Sequence, residues 1–409
     1  MSTMPLDPRL IAERGGIGGA IAGYRRRIAS GDVGALPVVV GLVVIWSVFG
    51  IASPNHSFLG SFNLTNLALQ SAATGTIAVG VVFVLLLGEI DLTVGVVSGL
   101  ASGVMAVLNV TMGIPGPIAV AAALVVGIAI GVFQGLWITK FRIPAFVVTL
   151  AGLIAWQGAL LYVLGATGTL NLNDKFITGL AGTFFGGIVA WVLAVLFIVY
   201  VAATALMTRR SRKKAELPSE PIVVLGIRVG VIGILVLAAV YFLLQDKDRG
   251  LPLSVVILVA VVVVMDFVAR RTRFGRMIFA VGGNPEAARR AGIPVDLVRI
   301  AVFAMASFFS ALGGVLAASR LLAVNQSAGS GDVLLNAIAA AVIGGTSLFG
   351  GRGSVWAALL GILVIQSISN GMDLLSFESS VKFMITGFVL LTAVTIDAVA
   401  RRGREVSGR

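Results

Sequence analysis

RRTRFGRMIFAVGGNPEAARRAGIPVDLVRI, residues 270–300, is a polar, Arg-rich stretch set between two apolar runs. The chain before it reads LPLSVVILVAVVVVMDFVA (251–269), and a second apolar run begins near residue 297. A short soluble segment between two apolar runs marks a place where the chain leaves an apolar environment and then returns to it. The rest of the reading depends on what that environment is.

Composition answers the question. Charged residues make up 12% of the chain and hydrophobic residues 58%, whereas ordinary soluble domains carry about 25% charged residues. No Asp, Glu, Lys or Arg lies between Asp32 and Glu89, between Asp91 and Lys140, or between Lys175 and Arg209. A helical span needs about 20 mostly apolar residues, and each interval holds at least one. A β-barrel would show short alternating segments, and these runs are continuous. The fold class is therefore an all-α polytopic membrane protein, with the lipid bilayer as its first partner. Spans are expected at 36–53, 72–88, 92–112, 117–138, 144–165, 183–207, 227–244, 252–269, 297–322, 333–349, 354–372 and 381–399. The count is about 12, within 10–12, and is least defined around 54–71 and 333–353.

Orientation follows from the basic residues, which favour the cytoplasmic side. With the N-terminus inside, Arg9, Arg14, Arg25, Arg26, Arg27, Lys140, Arg142, the cluster 209–214, segment 270–299, and Arg401, Arg402 and Arg404 are all cytoplasmic. Of the 30 Lys and Arg, only Lys175, Lys247, Arg249, Arg320 and Lys382 fall outside. Both termini are then cytoplasmic. The net charge of +12 is read as this bias, so no nucleic-acid partner is expected. The organisation is a cytoplasmic tail over 1–35, a single transmembrane domain over 36–400, and a cytoplasmic tail over 401–409. The domain contains a flexible linker over 208–227, including RRSRKKAELPSEP (209–221), and the polar segment over 270–296. The N-terminus carries no short apolar core near its start, so it is read as a retained tail and not as a cleaved signal peptide.

Glycine is abundant, at 51 residues. Spacing of the GxxxG kind occurs at Gly95, Gly99 and Gly103, at Gly127, Gly131 and Gly135, and at Gly182 and Gly186. Helices in lipid rely on the close packing that small residues permit, and packing within one subunit is the main expectation. Residues 88–98 can be laid over 344–354 with Gly, Leu, Gly and Ser coinciding. Transporters often place discontinuous helices of this kind near the binding path. Discontinuous or re-entrant helices are therefore expected near 88–95 and 333–353.

The candidate path residues are polar groups within or near spans. Glu89 and Asp91 sit in VFVLLLGEIDLTVGVVSGL (82–100). A carboxylate at the bilayer centre costs about 2.5–3.5 kcal/mol, so each needs a partner, water, or a place at a turn. Three roles remain open: capping a helix that starts near Leu92, with Asp91 as N-cap; lining the path; or forming a turn between spans. Gln70, Gln134, Gln157, Gln326 and Asn336 are neutral amides that donate and accept, which suits a polar, uncharged solute. Hydrogen bonding between helices is their structural alternative. Asp266 and Asp332 lie near span ends. So few buried charges argue against an ion-coupled carrier.

No enzyme site emerges. HExxH, GxSxG and GxxxxGK[ST] are absent, so the chain is not expected to hydrolyse ATP. There is no Cys, which removes thiolate metal sites, and no metal site or bound cofactor is expected. His56, the only histidine, falls in an external loop. Within the polar segment, Asn284 fits an N-cap, Pro285 the first helical position, and Glu286 the first turn, while Gly292 and Pro294 can end the helix. A short helix is expected over 284–292.

The spacing EAA-x3-G in that helix resembles the coupling-loop motif of bacterial ABC importer permeases. GRMIFAVGGNPEAARRAGI (275–293), LLNAIAAAVIGGTSLFGGRGS (334–354) and GEIDLTVG (88–95) resemble, in this order, segments of the ribose, xylose and galactose permease family. The resemblance runs from about residue 61 to 397. The extra sequence between about 170 and 252 is similar to the xylose permease subunit. The resemblance implies a permease of the bacterial plasma (inner) membrane that imports a monosaccharide, with a pentose such as xylose expected. It further implies a second permease copy in a homodimer, an external sugar-binding protein, and a separate cytoplasmic ABC ATPase that uses ATP and Mg. Carried over, Gly282, Asn284, Glu286, Ala287, Ala288, Arg289 and Gly292 form the ATPase contact. Ala287 and Ala288 would allow close approach, and Glu286 and Arg289 would pair with the ATPase. Residues 89–91 and 344–353 would stand near the path. The alternatives are an ABC permease for a branched-chain amino acid, nucleoside or signalling furanose, and an ion-coupled secondary transporter or channel.

Overall fold

The computed structural model describes residues 36–217, 219, 221–246 and 249–406. The expected N-terminal tail over 1–35 and Lys247 lie outside them. In chain order the helices are α1 (Leu36–Ala52), α2 (Ser61–Leu86), α3 (Val94–Ala106), α4 (Gly116–Phe141), α5 (Ala145–Leu164), α6 (Lys175–Gly182), α7 (Gly187–Lys214) and α8 (Ile222–Leu243). They continue as α9 (Leu253–Arg271), α10 (Arg273–Gly283), α11 (Pro285–Arg290), α12 (Val295–Leu321), α13 (Asp332–Ile343), α14 (Trp356–Leu374) and α15 (Ser379–Val406). A π turn, Val107–Thr111, prolongs α3. The main extended elements are β1 (Thr169–Asn171) and β2 (Ala323–Asn325), which pair antiparallel with Leu170 opposite Val324.

Among the described residues, nine helices are long and apolar enough to cross a membrane, and Pro37–Ala52, Asp332–Ile343 and Ser379–Val389 are shorter apolar segments. Each expected span finds a helix, but several boundaries change: α7 runs on to Lys214 and α15 to Val406, past the expected ends at 207 and 399. The helix expected from 72 begins at Ser61. Its first turns, SFNLTNLALQS, are too polar for a hydropathy reading, yet their polar groups are satisfied locally. Thr65 donates to the Ser61 carbonyl at 2.9 Å and Ser71 to the Leu67 carbonyl at 2.8 Å. The expected span 333–349 is a 12-residue helix, α13. At 1.5 Å per residue it reaches about 18 Å, short of a hydrocarbon core of about 30 Å. It then breaks into a glycine-rich loop, as the re-entrant reading required.

The described residues divide into two compact units, 36–184 with 252–397, and 185–251 with 398–406. The smaller unit pairs α7 with α8. Arg212, Lys213 and Lys214 close α7, where positive charge stabilises a helix C-terminus. The linker expected over 208–227 is therefore confined to residues 215–221, and part of its charge is helical.

In the larger unit, α2 is buried along most of its length and packs against α9, α12, α13 and α14. Helices touch closely where glycines face backbone. A Cβ on Gly127 or Gly131 would overlap the backbone around Ser307 or Phe303 of α12, and one on Gly135 would meet Ile300. Gly99 lies in the same way against the Ala328 carbonyl. These two glycine stripes pack within the subunit as expected, whereas Gly182 and Gly186 have no heavy atom within 4 Å of an added Cβ. Far from these stripes, Asn63 and Asn370 exchange amide hydrogen bonds of 2.8 and 3.0 Å between α2 and α14. On the connection before α6, Asp174 accepts from the Phe176 and Ile177 amides. Desolvation opposes ionisation there, but hydrogen bonds from Ile177, Phe176, Gly116 and Asn109 hold its carboxyl below the usual range.

Candidate functional site

The polar segment folds as α10 and α11 with Asn284 between them. Asn284 has extended φ and ψ, and its Oδ1 accepts from the Ala287 amide at 2.9 Å. Pro285 occupies the first helical position and Glu286 the first turn. The helix ends at Arg290, and Gly292 takes a φ of +82°. The Gly292 amide then donates to the Arg289 carbonyl and Ile293 to Ala288, both at 3.0 Å, which is a Schellman closure. The short helix is thus capped at both ends by its own sequence.

Its exposed face differs from expectation. Glu286, Ala287, Arg289 and Arg290 are exposed, but Ala288 is 4% exposed and packs on the protein's own core. Gly282 also faces inward, because a Cβ there would overlap the Leu86 carbonyl oxygen. These two residues therefore position the helix from behind. Arg289 already pairs with Glu286 at 2.7 Å and Asp296 at 3.6 Å, so its charge is shared within the segment.

The contact at Gly282 joins three distant parts of the chain. The Gly351 amide donates to the Leu86 carbonyl at 2.9 Å. Gly88 lies against the Phe349 carbonyl, and Gly350 against Gly282 and Gly88. All three motifs, 88–95, 275–293 and 334–354, thus meet at one backbone junction. The two segments laid over each other in sequence touch but do not share a conformation: Gly88 has a φ of +76°, whereas Gly344, its counterpart, has −66°. Beside the junction, Glu89 forms an ion pair of 2.9 Å with Arg299, one turn into α12. Arg270, at the end of α9, donates to the Ser354 hydroxyl at 3.0 Å.

Asp91 does not N-cap the next helix. The helix starts at Val94, and Asp91 Oδ1 accepts from the Thr93 amide at 2.8 Å and the Thr93 hydroxyl at 2.6 Å. This is an Asx turn, made because the chain bends at Leu92 and the helix does not begin until Val94. The Thr93 hydroxyl accepts from Gln134 Nε2 at 3.0 Å, so Asp91 and Gln134 belong to one buried network. Asp91 Oδ2 and Trp156 Nε1 find no partner among the described residues.

The other candidates are dispersed. Gln157 donates to the Gln326 carbonyl at 3.0 Å, and Gln326 to the Gly165 carbonyl at 3.2 Å. Gln157 also lines a cavity of about 140 Å³ with Leu92, Val96 and residues 329–331, where the starts of α3 and α13 come together. Asn336 is buried and donates to Asp332 at 3.0 Å; both line a second cavity of about 300 Å³. Gln70 is half-buried on α2, apart from both. Sequence reasoning missed Arg299 and Thr93. Arg299 looked like one more cytoplasmic cation, and a threonine at a helix start carries no distinctive signal.

A family model described as branched-chain amino acid transport system / permease component matches residues 63–394. The chain belongs to this permease family. The xylose transport system permease protein of Haemophilus influenzae is 36% identical over 367 residues, covering 88% of this chain and 95% of the relative. The ribose import permease protein of Bacillus subtilis is 31% identical over 358 residues, covering 88% and 91%. The L-arabinose transport system permease protein of Escherichia coli K12 is 35% identical over 156 residues, covering 38% and 47%. No solved structure gives a significant match. The permease is a multi-pass protein of the bacterial inner membrane, and the match spans both glycine-broken segments and the capped helix.

Proposed function

We propose that the permease is the membrane subunit of an ATP-driven importer of a monosaccharide, with a pentose such as xylose as the first candidate. The observation that carries this reading is the junction at Gly282. It places the end of α10, just before the exposed, doubly capped helix α11, in backbone contact with the chain at Leu86 and with the loop that follows α13. A cytoplasmic ATPase engages the exposed face of α11 through Glu286, Ala287, Arg289 and Arg290. Its movement reaches the loops at 86–93 and 344–351 through Gly282, Leu86 and Gly351, and the Glu89–Arg299 pair braces the same end. Two copies form the path, both termini lie in the cytoplasm, and an external binding protein delivers the solute. Asp91, Gln134 and Gln157 line or support the path, and their carboxylate and amide chemistry suits a neutral solute with hydroxyl groups. The names of the relatives at 31–36% identity over 88% of the chain support a pentose.

The test is uptake in proteoliposomes with and without the ATPase encoded beside this chain. D-xylose uptake that requires ATP and the ATPase is expected. Glu286→Lys should abolish ATPase co-purification and uptake while the permease still folds. Docking and uptake retained in that variant would remove α11 from the coupling role, and flux driven by an ion gradient through the permease alone would replace the ATP-driven reading. The description of the matching family favours one competitor, a branched-chain amino acid. Uptake blocked by leucine and not by xylose would establish it.

A further inference from the structure

The cavity of about 300 Å³ between α13, α14 and α15 is a second region of unusual chemistry. Its place can be derived from helix register. Gly344 packs on Ala357 and Gly361 on Ala340, so α13 and α14 run antiparallel and Asp332 falls level with Ser369. Leu86 bonds to Gly351 and Asn63 to Asn370, so α14 also runs antiparallel to α2. Asp373 is therefore level with the start of α2, at the end remote from Gly282. Asn336 lies near the level of Ser71, about 15 Å inward along α2 at 1.5 Å per residue. The cavity thus descends from the remote end toward the middle of the fold.

Its lining is polar in a particular way. Lys382 pairs with Asp373, and Asn336 donates to Asp332 at 3.0 Å. Ser369 adds a hydroxyl, and Phe383 presents a ring that is 59% exposed. Carboxylates accept hydroxyl protons, lysine donates, and an amide does both, so this set matches a solute carrying several hydroxyl groups. Two carboxylates against one ammonium leave the lining net negative, which disfavours phosphorylated or carboxylated solutes. The volume sits at the lower bound of ordinary small-molecule sites, in keeping with a single small solute.

We propose that this cavity is a binding site for one neutral polyhydroxylated molecule on its way from the remote face to the middle of the permease. The proposal rests on the sugar-importer reading and adds a place and a residue set to it. The chain has no Cys, so Ser369→Cys introduces a unique thiol into the cavity wall. In proteoliposomes holding the permease alone, D-xylose should slow maleimide labelling of S369C by at least about threefold. Asn336→Leu in that background should remove the protection, since losing a hydrogen bond to a polar ligand costs about tenfold in affinity. Choline, a cation of similar size, should not protect. Labelling unaffected by D-xylose, or protection by choline alone, would overturn the site. Uptake by the complete importer separates the two levels: with D-xylose uptake intact and no protection, the cavity assignment fails and the function stands. With no sugar uptake in the unaltered complex, the function itself fails. A thermal midpoint in detergent equal to that of the unaltered permease establishes that the labelled S369C protein is folded.

Discussion

The two ends of the larger unit are built on opposite principles. Around Gly282, backbone meets backbone: Leu86, Gly88, Gly282, Gly350 and Gly351 approach closely, and a single methyl group on Gly282 or Gly350 would overlap a neighbouring main chain. Around Asp373, helix ends meet through long side chains, and a cavity remains between them. A junction without side chains has almost no compressible volume, so it transmits displacement. An open, polar junction can accept a molecule and close on it. The larger unit thus has a close-packed end around Gly282 and an open end around Asp373.

Substitutions can break or sharpen this contrast. The largest effect is expected for Gly282→Leu. Overpacking costs about 1–3 kcal/mol where side chains can shift, and here the obstacle is the Leu86 carbonyl, so the cost should reach or exceed about 3 kcal/mol. Thermal melting in detergent reads this directly, and an unchanged midpoint would show that the junction yields. Next comes Arg299→Met, which strands the Glu89 carboxylate in a largely buried place. Removing one partner of such a pair costs about 3 kcal/mol. Adding Glu89→Gln should restore much of it, and a double variant no better than the single would show that the pair is not coupled. At the opposite end, a double-mutant cycle on Asn63→Ala and Asn370→Ala should give a coupling of about 0.6 kcal/mol, the average for hydrogen bonds between membrane helices. The smallest effect is expected for Thr386→Leu, which enlarges a side chain into the cavity. Stability should change by no more than about 0.5 kcal/mol; a loss as large as that of G282L would mean that both ends are equally tight.

Much of the capped helix α11 was legible in the sequence because its signals are local. Asn284, Pro285 and Gly292 each fill a position that depends on neighbours a few residues away, and the capped helix follows. The exposed face of that helix was less legible. Ala288 on α11 and Gly282 at the end of α10 read as contact residues, but the structure turns both inward, because only the packing against Leu86 and the core decides which side of so short a segment is solvent. Of the three roles left open for Asp91, the N-cap is excluded and a turn is found, a choice the sequence leaves open for a similar reason. An Asx turn and an N-cap use the same side chain, and the choice depends on where α3 begins. The start of α2 at Ser61 was hidden because polar residues that bond their own helix carbonyls look, in sequence, like a loop.

The sequence by itself determined that the chain is a bundle of apolar helices, where its polar segment lies, and that this segment carries a capped helix. Those follow from transfer energies and short-range hydrogen bonds, which depend on residue type and spacing within a few turns. Only the tertiary structure decided that Gly282 meets Leu86 and Gly351, that Glu89 finds Arg299, and that Asp332, Asp373 and Lys382 surround one cavity. Such contacts join residues far apart in the chain, as with Asn63 and Asn370, 307 positions apart. They depend on helix register, which the glycines permit and the sum of the packing selects.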